Sequence, residues 1–291
     1  MYGAMIGDIV GSKYEFDNIK TKEFPLFSQG CDFTDDSVMT AAVAKAILLS
    51  REAQFRNEKK DFETFVIQQM RDFGARYPYP QGAYGGRFVR WLRAEFPEPY
   101  SSFGNGSAMR VSPCGLIAVT LEEAQALARI SAKVTHNHFE GIKGAEAVAS
   151  AIFMAKTGCS KEEIRDYIRE NYYELNQTVD EIRKTYHFDE SCQGTVPQAI
   201  TAFLESETFE DAIRNAISIG GDSDTVGAIT GSIAWAYYWQ QGTLYQIDRL
   251  PEDLQQIKDR ATKYIPGEFE EIAEELRQVA GRRAGTYDRM G

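Results

Sequence analysis

Two short acidic segments, far apart in the chain, carry the residue types best suited to chemistry. Phe33-Thr34-Asp35-Asp36-Ser37 and Gly220-Gly221-Asp222-Ser223-Asp224-Thr225 each combine two carboxylates with a threonine hydroxyl. Each runs straight into a nearly uncharged, small-residue stretch that offers no local Lys or Arg partner. Four clustered carboxylates repel one another strongly unless a cation sits among them. Oxygen-only ligand sets suit hard divalent ions such as Mg²⁺ or Mn²⁺. The two segments are therefore expected to fold together around a two-metal centre. Taken singly, either one reads more simply as a helix N-cap with dipole-compensating charge.

Two rival chemistries are weaker. Asp222-Ser223-Asp224-Thr225-Val226 matches the D-x-D-x-[TV] pattern of phosphatases that use an aspartyl nucleophile. That pattern belongs at the end of a hydrophobic strand, early in an α/β domain, whereas here it lies late in a helix-rich chain. His136-Asn137-His138 invites a zinc reading, but only His187 is left to join it and no cysteine lies nearby.

Two irregular segments are the natural places for a ligand. Tyr77 to Gly86 is rich in Gly, Pro and Tyr, and Ser101 to Ser107 is rich in Gly and Ser. The backbone N–H groups of Gly104, Gly106 and Ser107, placed before a helix, suit phosphate, and Gly85 and Gly86 could act likewise, although glycines there could equally be simple turns. Phe103, Tyr84 or Tyr14 could stack on a base or line the cleft, or could equally be core. Arg110 reads as a structural ion-pair partner rather than a phosphate ligand.

The elements that must position these groups read as helices. Helical spacing or composition marks Val38 to Leu49, Phe62 to Met70, Leu121 to Thr135, Gly141 to Lys156, Pro197 to Leu204, Thr208 to Ile217 and Asp224 to Tyr238. Ser160-Lys161-Glu162-Glu163 fits a capping box opening a helix towards Glu170. Alternating strand patterns are nearly absent, so the expected fold is all-α, a single domain over residues 1–280 with residues 281–291 a loosely held tail. Gly3, Gly7 and Gly11 share one helix face, and Gly227 and Gly231 repeat the spacing, which allows helix backbones to approach closely.

The chain has 291 residues, 43% hydrophobic and 26% charged, with a net charge of −11. That balance fits a soluble globular protein and argues against nucleic acid or an anionic membrane surface as partner. Cys31, Cys114, Cys159 and Cys192 form no C-x-x-C pair and read as reduced cysteines in a cytoplasmic protein. The N-terminus lacks a signal-peptide pattern and no stretch approaches the roughly 20 apolar residues of a membrane span.

Six motifs in order now carry a family resemblance from Gly3 to about Trp239. They are Gly7-Asp8-Ile9-Val10-Gly11-Ser12-Lys13-Tyr14-Glu15, Phe33 to Ser37, Gly104-Asn105-Gly106-Ser107-Ala108-Met109-Arg110, Thr135-His136, Cys192-Gln193-Gly194-Thr195-Val196-Pro197, and Gly220 to Thr225. Together they resemble the ADP-ribosylglycohydrolases. The resemblance implies an all-α fold holding two Mg²⁺ or Mn²⁺ ions, with Thr34, Asp35, Asp36, Asp222, Asp224 and Thr225 as ligands. By the same resemblance Glu15 would be the acid beside the metals and, with Asp36, a catalytic carboxylate. Asp35, Asp36, Asp222 and Asp224 balance two divalent ions, leaving Glu15 as one excess negative charge suited to accept a proton or stabilise a cation.

The implied reaction is hydrolysis of the bond between ADP-ribose and an acceptor, arginine on a protein in the leading reading. It passes through an oxocarbenium-like state, with the metals orienting the ribose and activating a water. Tyr84, Gly85, Phe103, Gly104, Asn105, Gly106, Ser107 and His136 would contact the ADP-ribose moiety. Alternative acceptors are serine or O-acetyl-ADP-ribose, and a non-catalytic crystallin-like protein is the reading from another class. A monomer is expected, with a weak oligomer possible; Trp235 and Trp239, four apart on one helix face, could alter local packing or an oligomer contact.

Overall fold

The computed structural model describes residues 1–56, 58, 61–242 and 250–287. Its described residues form helices and loops, with two isolated β-bridges, Thr34 to Gln81 and Gly104 to Ser191, in place of any sheet. The expected all-α fold is the one observed.

Helix α12 (Ser223–Gly242) is the central rod, and α1 (Tyr2–Ser12) lies along it. Its interior turns carry no charge and bury Val226, Ile229, Ile233 and Trp235. Each such aliphatic side chain contributes about 1.5–3 kcal/mol. The α1–α12 seam is made of backbone. A Cβ built on Gly7 would fall on the Gly227 carbonyl, and one on Gly3 would meet the Gly231 carbonyl. Trp235 packs against Tyr2 and Phe209, so it belongs to the core rather than to an oligomer contact.

Around this pair stand α7 (Phe139–Lys156), α10 (Cys192–Leu204) and α11 (Phe209–Ser218). Helix α6 (Leu121–Lys133) backs α7. On the other side of α1, α2 (Asp35–Phe55) packs against α3 (Phe62–Arg76), α5 (Ser112–Ile117) and α14 (Gly267–Tyr287). Helices α4 (Gly86–Arg93), α9 (Val179–Thr185) and α13 (Glu252–Ala261) were not anticipated, and neither were α5 and α14. The helix α8 (Lys161–Asn171) opens with the expected reciprocal cap between Ser160 and Glu163. Residues 281–287 continue α14, so the expected tail is helical through Tyr287, and residues 288–291 lie outside the described residues. No helix among the described residues is long and apolar enough to cross a membrane.

Candidate metal centre and active-site cleft

The two acidic segments, 189 positions apart by Asp36 and Thr225, meet at the N-terminal ends of α2 and α12. Thr225 Oγ1 donates to Asp36 Oδ2 at 3.2 Å. Carboxylate oxygens of Glu15, Asp222 and Asp224 all lie within 4.8 Å of one another. Asp36, Asp222, Asp224 and Thr225 are buried, while Asp35 and Glu15 keep partial exposure. The local reading of Thr34 as a helix cap also holds: its hydroxyl accepts from Asp36 N at 3.2 Å. Capping leaves that oxygen a second lone pair.

Burial without a counter-ion shows in the electrostatics. Burial, then the charge of Asp224, pushes Asp35, Asp36 and Asp222 well above the usual carboxylate range. Glu15 is pushed up to about 8 by burial and by Asp224, Asp8 and Glu190. One oxygen each of Asp8, Glu15, Asp36 and Asp224 is buried with no hydrogen-bond donor. A cation is the partner such acceptor-only groups lack, so the residues present fit divalent-metal binding.

Asp8 was read only as part of a motif, and its position makes it a member of the cluster. It is fully buried on α1, and its Oδ2 accepts from Thr34 N at 3.0 Å, Ser37 N at 3.1 Å and the Ser37 hydroxyl. These are first-turn N–H groups of α2 that need acceptors, and the helix dipole favours an anion there. Burial and Asp224 raise Asp8 to about 7. Asp8 also upsets the charge balance. Asp8, Glu15, Asp35, Asp36, Asp222 and Asp224 are six carboxylates, so two divalent ions leave a residue of about −2 rather than −1 if all are ionised.

Two amide side chains brace the acidic cluster and the loops that carry it. Asn105 Nδ2 donates to Asp222 Oδ2 at 2.6 Å and to Thr195 Oγ1 at 3.0 Å. Asn105, expected to meet substrate, is buried and orients a metal-ligand candidate. Asn18 was not expected at all. Its amide donates to the carbonyls of Tyr14, Glu15 and Gly221 and accepts from Gly221 N at 2.7 Å. Thus it ties the Glu15 loop to the Gly220-Gly221 turn, where both residues have positive φ of 70° and 79°. Only contacts bridging 203 positions reveal that role.

The loop over residues 77–86 folds against the same centre. Gly82, at φ 77°, would place a Cβ 2.7 Å from Glu15 Oε2, so only glycine allows this approach. Tyr84 does not present a free ring: it is buried, its hydroxyl donates to Tyr77 O at 2.8 Å, and it packs on Phe88. Gly85 has open space beside it. Tyr14 is likewise core, edge-on to Phe24.

On the opposite side, Gly104 and Gly106 line His136, whose Nε2 would lie 3.5 and 3.4 Å from a Cβ on either. The segment is a single 3-10 turn, Asn105–Ser107, rather than the start of a longer helix, so the expected helix-dipole contribution to phosphate binding is lost. Ser107 is buried, and its hydroxyl donates to Gly141 O at 2.7 Å. Phe103 remains half exposed beside His138. His136 is buried, contacts Thr135 Oγ1 at 2.6 Å, and is held neutral by burial and by Arg110 and Arg87. His138 caps α7 through Nδ1, which disposes of the zinc pair. Arg110 is structural as expected, but its partners are the carbonyls of Gly106 and Ser131 and the Thr135 hydroxyl, not a carboxylate.

Comparison with known proteins decides between the remaining chemistries, because residues 1–286 match the ADP-ribosylglycohydrolase family. The chain belongs to that family. Among its relatives, human "ADP-ribosylhydrolase ARH3" is 27% identical, with 87% of this chain and 86% of the relative aligned. The "ADP-ribosylarginine hydrolase Tri1" of Pseudomonas putida is 25% identical, over 83% of this chain and 70% of the relative. A solved "ADP-ribosylglycohydrolase-related protein complex" superposes with a TM-score of 0.67 at 23% identity, covering 97% of this chain and 95% of that one, and supports the fold. The protein is thus an ADP-ribosyl hydrolase by family, and the phosphatase reading fails: Asp222 follows a glycine turn after α11, with no strand before it.

Proposed function

We propose that this family member hydrolyses the bond between ADP-ribose and the guanidinium of a protein arginine. Two Mg²⁺ or Mn²⁺ ions would be held by Thr34, Asp35, Asp36, Asp222, Asp224 and Thr225, with Asp8 as a further anion behind them. The observation that carries this reading is the set of buried carboxylate oxygens without donors on Asp8, Glu15, Asp36 and Asp224, converging from three helices and the loop after α1. When bound, the ions supply charge neutralisation and a Lewis-acid hold on ribose hydroxyls.

The chain's own residues supply the rest. Glu15 holds a proton-accepting oxygen, Oε2, at the centre, capped by Gly82 and braced by Asn18. Its raised pKa falls towards neutrality beside added positive charge, the range that suits a general base. A second role for the same carboxylate is to stabilise positive charge developing on the ribose. Gly104 and Gly106 leave room for a diphosphate beside His136, and Phe103 offers a half-exposed face to adenine. The likeness to an ADP-ribosylarginine hydrolase and the excess negative charge both favour arginine as the acceptor.

The test is release of ADP-ribose from ADP-ribosyl-arginine peptide, ADP-ribosyl-serine peptide and O-acetyl-ADP-ribose, each with Mg²⁺, Mn²⁺ or chelator. Release from arginine that stops on chelation is expected, and Glu15→Gln should abolish it while still binding ADP-ribose. Release only from serine or the O-acetyl compound overturns the acceptor. No release from any of them overturns the catalytic reading.

A further inference from the structure

Phe16 and Phe188 come from loops 172 positions apart and yet stack, rings 6.2 Å apart and 23° from parallel. Both remain largely in water, 75% and 45% exposed. Phe16 directly follows Glu15, and Phe188 stands two residues before Glu190. The Glu190 carboxylate is exposed and close enough to act electrostatically on Glu15. Behind Phe188 a cavity of about 240 Å³ opens, lined also by Tyr186, His187 and Asp189.

Both halves of this lip are held firmly. Glu190 O accepts from Asn105 N at 2.7 Å, and Cys192 N donates to Phe103 O at 2.9 Å. Asn18 fixes the other half to Gly221. Neighbouring cations are committed elsewhere. Lys13 donates to the Ser28 hydroxyl at 3.0 Å and Lys20 to the carbonyls of Tyr186 and Ile219. The lip therefore joins flat apolar rings to carboxylates with no basic side chain bonded among them in these contacts. A planar cation satisfies both: a guanidinium stacks on a ring face while its edge donates to a carboxylate. A serine oxygen offers neither the plane nor the charge, and an acetyl ester, though planar, has no charge and no donor edge.

We infer that Phe16, Phe188 and Glu190 form the acceptor subsite and select a guanidinium leaving group over neutral acceptors. This rests on the hydrolase reading above and adds the residues that set its specificity. Phe16→Ala/Phe188→Ala should raise KM for ADP-ribosyl-arginine peptide about fivefold. Glu190→Gln should raise it about tenfold, the loss expected for one charge-assisted hydrogen bond. In both variants the ratio of kcat/KM on arginine to that on ADP-ribosyl-serine should fall by the same factor.

A second measurement needs no turnover: calorimetric titration of agmatine into protein saturated with ADP-ribose. Wild type should bind it, and the same two variants should weaken it by similar factors. Equal losses on arginine and serine peptides, or agmatine binding indifferent to the substitutions, overturns the lip. Wild-type protein inactive on every acceptor but binding agmatine through the lip would instead overturn catalysis and leave the subsite standing.

Discussion

Removing divalent ions should make this protein more stable in mild acid than at neutral pH, the reverse of ordinary acid denaturation. Asp8 is the cleanest case because it is fully buried and moves from 3.8 to about 7 in the fold. An unfolded Asp8 releases its proton near pH 4, whereas the folded one holds it until near pH 7. Between these values the native state binds the extra proton, so stability falls as pH rises. Three pH units amount to about 4 kcal/mol at most, and about 2–3 kcal/mol between pH 5 and pH 7. For a chain of this size that is roughly 5 °C in Tm. Asp35, Asp36 and Asp222 push in the same direction.

The assay is thermal unfolding from pH 5 to pH 8 in chelator, repeated with saturating Mg²⁺. Without metal, Tm should drop as pH rises. With metal, stabilisation should grow with pH as protons stop competing for the oxygens. Asp8→Asn keeps an acceptor for Thr34 and Ser37 but removes one charge. It should flatten the metal-free slope and shrink the Mg²⁺-induced rise in Tm. A metal-free Tm that climbs from pH 5 to pH 8, or a slope untouched by Asp8→Asn, would refute the reasoning.

Asn105→Ala should weaken Mn²⁺ binding about 10- to 100-fold by calorimetry, because Asp222 loses the donor that orients it; affinity within twofold of wild type would remove Asn105 from the metal centre. Gly7→Ala should cost about 1–3 kcal/mol or more in chemical unfolding, since the added Cβ meets the Gly227 backbone rather than a side chain that can turn away; a neutral effect would show that the seam has slack.

The legible part of the fold and site was whatever the chain keeps adjacent. Thr34, Asp35 and Asp36, and likewise Asp222, Asp224 and Thr225, sit side by side, so their chemistry appears in a few letters. Helices such as α7 and α12 appear through apolar composition. Asp8, Asn18 and Asn105 did not declare their roles, because each acts on partners 26 to 203 positions away. A buried aspartate in a helix and an asparagine in a loop are, from letters alone, a puzzle and a turn. The short helix α4 opens on Gly85 with no capping side chain, which left only glycines to read. Tyr84 shows the opposite limit: an aromatic in a promising loop turns its hydroxyl inward to a carbonyl.

Geometry links the glycine seam to the acids. Helix α1 packs against both α12 and α2. Gly7 and Gly11 let α12 approach until Ser223 and Asp224, at its first turn, lie against α1 backbone. From the next position on the helix, Asp8 reaches the first turn of α2. Side chains on ordinary packed helices keep their axes about 8–10 Å apart. A seam of backbone removes that spacer and draws the N-terminus of α12 towards that of α2. Both N-termini direct partial positive charge at the carboxylates, which offsets part of their mutual repulsion before any ion binds. The small residues of α1 therefore serve the site as much as the core, and Gly7→Ala should lower metal affinity along with stability.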